Sequence, residues 1–256
     1  NKYKSVDDYM YGGGAGMVAG FEKIAVISIG KAAHGMAQAT MPLLGRQPDF
    51  LLFADEGHPI PCRTGIKKTE KIIFASTTLS EKDLAIVLLS GGGSAMLVSP
   101  VPCISLNDKI TVTHALLRCG ADIREINTVR KHLSRVKGGH LAALLYPATV
   151  WGFVISDVIG NDLSTIASGP LSPDISTFAD AISIINKYKI KIPTNVRIHL
   201  EKGLRKKSME TPKQHEKYFE RVKIHIVADH AFLLKKALDK AKQLGIHAKS
   251  LGSGIS

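Results

Sequence analysis

Three glycines between two serines, Ser90-Gly91-Gly92-Gly93-Ser94, separate an apolar run from Ala95-Met96-Leu97. Without Cβ atoms, backbone N–H groups can turn inward as an anion-binding nest, and a helix starting there adds the positive end of its dipole. A plain chain reversal would use the same residues, but the flanking serines and the strand-like run before them favour a phosphate cradle. Lys31 follows Gly30 at the end of another apolar run, where a helix is expected to begin. A cation at a helix N-terminus opposes the dipole, so an anionic ligand explains it better. It is no Walker A lysine: Ala32 stands where Ser or Thr is needed, and Ala25 where the first glycine would be.

Asn127, Arg130 and Lys131 put an amide and two cations on about one helical turn, with Asn127, Arg130 and Ser134 spaced to share a face. A guanidinium suits a carboxylate or phosphate; a solvated helix face is the plain alternative. Asp157 and Asp162 follow a third apolar run, and carboxylates at a strand end can hold Mg²⁺ or take a proton from a hydroxyl. Asp162, just before Leu163-Ser164-Thr165, is equally suited to capping a helix. Other chemistries lack their residues. His58 and Cys62 form a lone pair without zinc-like spacing, and no Gly-x-Ser-x-Gly elbow occurs. Gly14-Ala15-Gly16-Met17-Val18-Ala19 matches G-x-G-x-x-A only formally, with no strand before it.

These residues need a scaffold, and the hydrophobic pattern supplies one. Residues 23–29, 50–53, 84–89, 149–155 and 222–228 are predicted strands, with 72–74 and 246–251 as further short ones. Helices are predicted after Gly30, over 65–71, 105–119 (a stripe of Leu106, Ile110, His114, Leu117 and Cys119), 121–143 with a break at Gly138-Gly139, 178–188 and 232–244. Such alternation predicts an α/β fold, a doubly wound, Rossmann-like, mostly parallel sheet with helices on both faces. In open parallel sheets ligands bind beyond the carboxyl ends of the strands. The turns at Gly30-Lys31, Ser90–Ser94 and Ser156–Asp162 should therefore meet on one edge. Residues 1–22 read as an irregular lead-in, 23–251 as the α/β domain, 203–215 as a linker or disordered loop within it, and 252–256 as the start of a connection to a further domain.

The 256 residues, 45% hydrophobic and 22% charged, are too apolar for a disordered chain. Cys62, Cys103 and Cys119 form no CxxC pair, which excludes a disulfide-stapled miniprotein and fits a reducing, cytoplasmic setting. No apolar run approaches the ~18 residues of a membrane helix. The net charge of +12 attracts polyanions in general. Much of it falls in residues 187–223, where sparse aromatics argue for a solvated helical surface rather than a nucleic-acid site.

Six ordered segments together resemble the N-terminal domain of the glycerate 2-kinases, the family whose second domain is called MOFRL. They are Ile29–Ala33, Gly57-His58-Pro59-Ile60-Pro61, Ser90–Ala95, Glu125–Ser134, Lys137-Gly138-Gly139, and Ser156-Asp157-Val158 through Ser168-Gly169-Pro170. The resemblance spans about residues 23–250. It implies ATP-dependent phosphorylation of D-glycerate to 2-phosphoglycerate, with Mg²⁺, in a cleft completed by a second domain. The family's active-site lysine falls on Lys31. Ser90, Gly91, Gly92, Gly93 and Ser94 become the phosphate loop, His58, Asn127, Arg130 and Lys131 anion contacts, Asp157 a catalytic or metal group, and Asp162 a metal ligand. Small-molecule partners follow, glycerate and ATP, and a homodimer is compatible with this reading. Cys62, Asn161 and Leu171 depart from the family's usual Asp, Asp and Thr, and the second domain lies outside these residues. The alternatives are an NAD(P)H-dependent hydroxypyruvate reductase, a name the family has carried, and a non-catalytic basic anion-binding module.

Overall fold

The computed structural model describes residues 18–250. Five largely apolar runs become strands: β1 (Ile24–Ile29), β2 (Phe50–Ala54), β3 (Leu84–Leu89), β4 (Thr149–Ile155) and β5 (Val222–Ala228), the three inner ones covered on both faces or nearly so and the edge strands β2 and β5 only partly. All pair in parallel in the order β2-β1-β3-β4-β5, with β1 and β3 buried at every residue. That order reverses direction between β1 and β3, the switch point where ligands of open α/β sheets bind. The prediction of a doubly wound, Rossmann-like α/β sheet holds.

Alternate strand residues face opposite layers. Ile24, Val26, Leu84, Ile86 and Leu88 pack with α1 (Ala33–Leu44). Ile27, Ile29, Val87 and Leu89 pack with α2 (Arg63–Ser76). Beyond β3 come a four-residue helix α3 (Gly93–Met96), then α4 (Leu106–Arg118), α5 (Ile123–His132) and α6 (His140–Leu145), the last also against the sheet. After β4 follow α7 (Phe178–Lys187) and α8 (Thr194–Arg205), and after β5, α9 (His230–Gln243). Helices α4, α5, α7 and α8 build a core of their own, including Val112, Leu116, Val129, Phe178 and Leu200. A helical annex thus stands beside the sheet.

Several expectations need correction. Residues 72–74 are not a strand but the end of α2, where Ile72 and Ile73 are buried while Phe74 is 70% exposed. Residues 246–250 form no strand. The helix begun at 121 ends at His132, earlier than Gly138-Gly139, and a second begins at His140. The 203–215 segment is an ordered connector: Thr211 is buried and donates to the Asp174 carboxylate at 3.0 Å. On α4 the core face is Lys109, Val112 and Leu116, so the predicted stripe turns outward, with Leu117 55% exposed. The Gly14–Met17 part of the glycine match, most of the 1–22 lead-in and the 252–256 connection lie outside the described residues.

Candidate active site

The rim is built where β1 and β3 end. Gly30 adopts φ +110°, and Cβ-bearing residues would not fit, since the missing Cβ would lie 2.4 Å from Ser90 Oγ. Hydrogen bonds lace the two turns together: Lys31 N–H donates to the Gly91 carbonyl at 2.9 Å, and Ala32 N–H to Ser90 Oγ at 3.0 Å. Ser90 Oγ in turn donates to the Ile29 carbonyl at 3.1 Å. Lys31 and His58 flank Gly92: a Cβ there would meet His58 Cδ2 at 3.0 Å and Lys31 Cγ at 3.2 Å. Asp157, beyond β4, closes on Gly91, where a Cβ would lie 2.3 Å from its Oδ2. Lys31, the triple glycine, His58 and Asp157 therefore share one rim, and Lys31, His58 and Asp157 are exposed on it. Helix α1, which starts here, has no side-chain cap and no acid in its first turn. An anion could therefore use its positive end. The helix after the glycines is only four residues long, so the dipole expected there adds little.

Behind Gly93 the chain 167–169 runs left-handed at three successive residues, Ala167 (φ 51°), Ser168 (φ 63°) and Gly169 (φ 64°), all buried. Ser94 and Ser168 hydroxyls meet at 2.9 Å, and Ser168 Oγ donates to Asn127 Oδ1 at 3.0 Å. This relay ties the glycine loop to α5. Lys137-Gly138-Gly139 is stitched to the same turn, Gly138 N–H donating to the Ser168 carbonyl at 3.0 Å and Gly139 N–H to that of Gly169 at 2.7 Å.

The remaining named residues divide. Arg130 is half-buried and lines a cavity with Ser94. Lys131, one residue on, points elsewhere: it is 6% exposed with its ammonium 3.1 Å from Asp174 Oδ1. Ser134 lies past the helix end, bonded to the Ser99 carbonyl. Asp162 spends its oxygens locally, accepting from Ser164 N–H at 2.9 Å, Ser164 Oγ at 3.0 Å and Thr165 Oγ1 at 2.7 Å. Burial pushes its carboxyl up, but those bonds outweigh it and hold the pKa below the ordinary value. Asn161 (φ 57°) reaches Asp229 Oδ2 at 3.1 Å, joining this loop to the start of α9. Cys62 caps α2, its Sγ accepting from Gly65 N–H at 3.4 Å, the role an Asp would also fill.

Two groups of the site were not read as site residues, although Lys137 stood in the Lys137-Gly138-Gly139 segment. Lys109 is 3% exposed and Lys137 fully buried, with Lys137 Nζ 3.4 Å from the Ala167 carbonyl. The signal for Lys109 was its spacing with Val112 and Leu116, a lysine on an apolar stripe. Burial, then repulsion from Arg130, pushes the Lys109 pKa down to about 7. Burial, then repulsion from Lys109 and Arg130, holds the Lys137 pKa well below its ordinary value. Both recover ordinary lysine values on unfolding, so between about pH 7 and 10 the unfolded chain keeps the Lys109 proton that the folded chain has shed, and the lowered pKa of Lys137 acts in the same direction. Stability should rise with pH across that window, by as much as roughly 1.4 kcal/mol per pH unit from Lys109. Melting curves of the ligand-free chain from pH 6.5 to 9.5 should show Tm climbing; a flat or falling Tm would mean that these ammoniums are paired or solvated.

Mg²⁺ takes one or two protein carboxylates alongside phosphate oxygens. Asp157, exposed and without an ion-pair partner among the described residues, fits as that single ligand. Asp162, already engaged by three donors, does not. Among the described residues no three His, Cys, Asp or Glu side chains gather as a cage. No helix among them is long and apolar enough to cross a membrane.

Residues 5–201 match the family described as domain of unknown function DUF4147. D-glycerate 2-kinase of Thermotoga maritima is 36% identical over 91% of this chain and 57% of its own length. Glycerate 2-kinase of Pyrococcus horikoshii is 38% identical over 88% of this chain and 54% of its own. An Agrobacterium vitis protein provisionally named hydroxypyruvate reductase is 44% identical over 78% and 44% respectively. The crystal structure of Thermotoga maritima glycerate kinase superposes with a TM-score of 0.76, covering 92% of this chain and 58% of that one. The chain spans little more than half the length of these two glycerate 2-kinases. With its fold, its ordered motifs and most of its length accounted for in this way, the chain belongs to the DUF4147 family of glycerate kinase-like proteins.

Proposed function

We propose that these residues form the nucleotide-phosphate and acid-binding part of an ATP-dependent glycerate kinase. The observation that carries this reading is the convergence of Lys31, Gly91, Gly92, His58 and Asp157 at the switch point of the sheet. Phosphoryl transfer asks little covalent chemistry of a protein and much positioning and cationic stabilisation. The glycine turns let Lys31, His58 and Asp157 close onto the loop, and Lys31 offsets the charge that spreads over the γ-phosphoryl oxygens. The hydroxyl of glycerate attacks phosphorus as the bond to the ADP oxygen breaks, and Asp157 is the carboxylate placed to take the hydroxyl proton or to hold Mg²⁺. When bound, that ion supplies further neutralisation of phosphate charge.

The relatives' names support the substrate class. A glycerate kinase name implies a phosphoryl donor such as ATP and glycerate as acceptor, and the reductase name would require a nicotinamide site. The test is an assay of the longest natural chain containing these residues with ATP, Mg²⁺ and D-glycerate, with the product read by ³¹P NMR. Appearance of ADP with a phosphomonoester on the acid is expected. Consumption of NADH with hydroxypyruvate, and no phosphomonoester, would refute the kinase reading in favour of the reductase.

A further inference from the structure

A cavity of about 260 Å³ lies between α4, α5 and the Pro59–Pro61 segment, next to the glycine loop. Lys109 and Arg130 line it together with Ser94, Ile110 and Leu117, and among the described residues no acidic one does. Among the described residues no carboxylate pairs with Lys109, Arg130 or Lys137, although Lys109 and Lys137 are almost wholly buried and lie close enough to Arg130 to feel its charge. Among the same residues Lys109 Nζ has no hydrogen-bond partner, nor has the buried Nδ2 of Asn127, one turn before Arg130.

Buried cations are normally paired, because an isolated one costs several kcal/mol, and apolar residues of similar volume would stabilise the fold. With no acid beside them among the described residues, the two lysines escape that cost only by giving up their protons, unless a counter-charge from outside lets them keep the charge. We propose that this cavity binds a compact oxyanion, the carboxylate or phosphoryl head of a small acid, held by Lys109 and Arg130 with Lys137 behind them. Its volume is below the roughly 300–1,000 Å³ of pockets that enclose drug-sized ligands, which favours a small acid over a nucleotide. The apolar walls lower the local dielectric and strengthen each charge contact. Ser94 joins the cavity to the phosphate rim, which places the head of the acceptor one residue from the loop that would hold ATP. The identity of the anion as glycerate or its phosphate ester rests on the kinase reading; the site itself does not.

The experiment compares wild type with Lys109→Met by thermal melting and by calorimetric titration, using D-glycerate and inorganic phosphate separately, with ATP as a reference ligand. The unliganded variant should melt several degrees higher, because the cost of burying that amine, either as an unpaired ammonium or by shedding its proton, is gone. Affinity for at least one of the two anions should fall tenfold or more, while ATP affinity stays within twofold. Loss confined to glycerate identifies a carboxylate site, and loss confined to phosphate a phosphoryl site. Should Lys109→Met not fold, Arg130→Gln carries the same comparison. Wild-type affinity for both anions in the variants would overturn the proposal, and so would a lower melting temperature of the unliganded Lys109→Met. Normal anion binding by Lys109→Met in a protein that turns over ATP sinks this site and spares the kinase reading. Lost anion binding in a protein that never turns over ATP does the reverse.

Discussion

Lys31→Ala is expected to lower turnover of ATP and glycerate by about 10²–10³-fold while leaving the melting temperature within about a degree of wild type. The size follows from removing one preorganised positive group aimed at charge that develops in the transition state. The unchanged stability follows from the structure: Lys31 is exposed, and its side chain makes no hydrogen bond or ion pair among the described residues. What holds the turn is the Lys31 backbone N–H, which alanine retains. A structural lysine would show the opposite pattern, with a fallen Tm and a proportionate loss of active protein. Lys31→Arg separates charge from shape, since a planar fork does not replace a compact ammonium whose stem packs against Gly92. It should recover binding of ATP more than kcat. Turnover of Lys31→Ala within threefold of wild type would remove Lys31 from the chemistry.

The strands were legible because a short run rich in apolar and β-branched residues, bounded by turn residues, needs no partner information to be recognised. Leu84–Leu89, Thr149–Ile155 and Val222–Ala228 are read with their bounds unchanged. Residues 72–74 misled because three β-formers in a row say nothing of the turn before them; Thr69, Ile72, Ile73 and Ser76 bury one helical face together. The rim was legible for a related reason. In a parallel sheet the turns after strands share an edge, so three turns found in sequence become neighbours in space. Direction on a helix was not legible. Successive residues diverge by about 100°, so Arg130 reaches the cavity while Lys131 meets Asp174, a partner 43 positions away. Lys109 and Lys137 stayed hidden because a lysine reads as solvent-exposed, and only the tertiary fold shows them enclosed without an acid.

Gly30→Ala should be the most destabilising single-atom change on the rim, costing about 2–5 kcal/mol and lowering Tm by roughly 10 °C. Two independent penalties add. Alanine at φ +110° carries the steric cost of an unfavourable backbone conformation, about 1–2 kcal/mol. Its Cβ would also lie 2.5 Å from the Ser90 carbonyl oxygen and 2.8 Å from the carbonyl carbon, and these backbone atoms cannot swing aside. Overpacking of that kind costs about 1–3 kcal/mol more, and in a chain of this size each kcal/mol moves Tm by about 2–4 °C. Relief would require β1 and β3 to part at the Ile29–Leu89 end, where the Ser90 N–H donates to the Ile29 carbonyl at 2.9 Å and the Lys31 N–H to the Gly91 carbonyl. Activity should therefore fall with stability, because the same shift carries Lys31 away from Gly92. Gly35→Ala is the control. That glycine sits in the first turn of α1 with no heavy atom within 4 Å of the place its methyl would take, so alanine should stabilise by about 0.5–1 kcal/mol through helix propensity alone. Denaturant titrations of the two variants side by side decide it. If Gly30→Ala unfolds at the wild-type midpoint, the two turns are not locked as described, and the rim loses its reason to hold one shape.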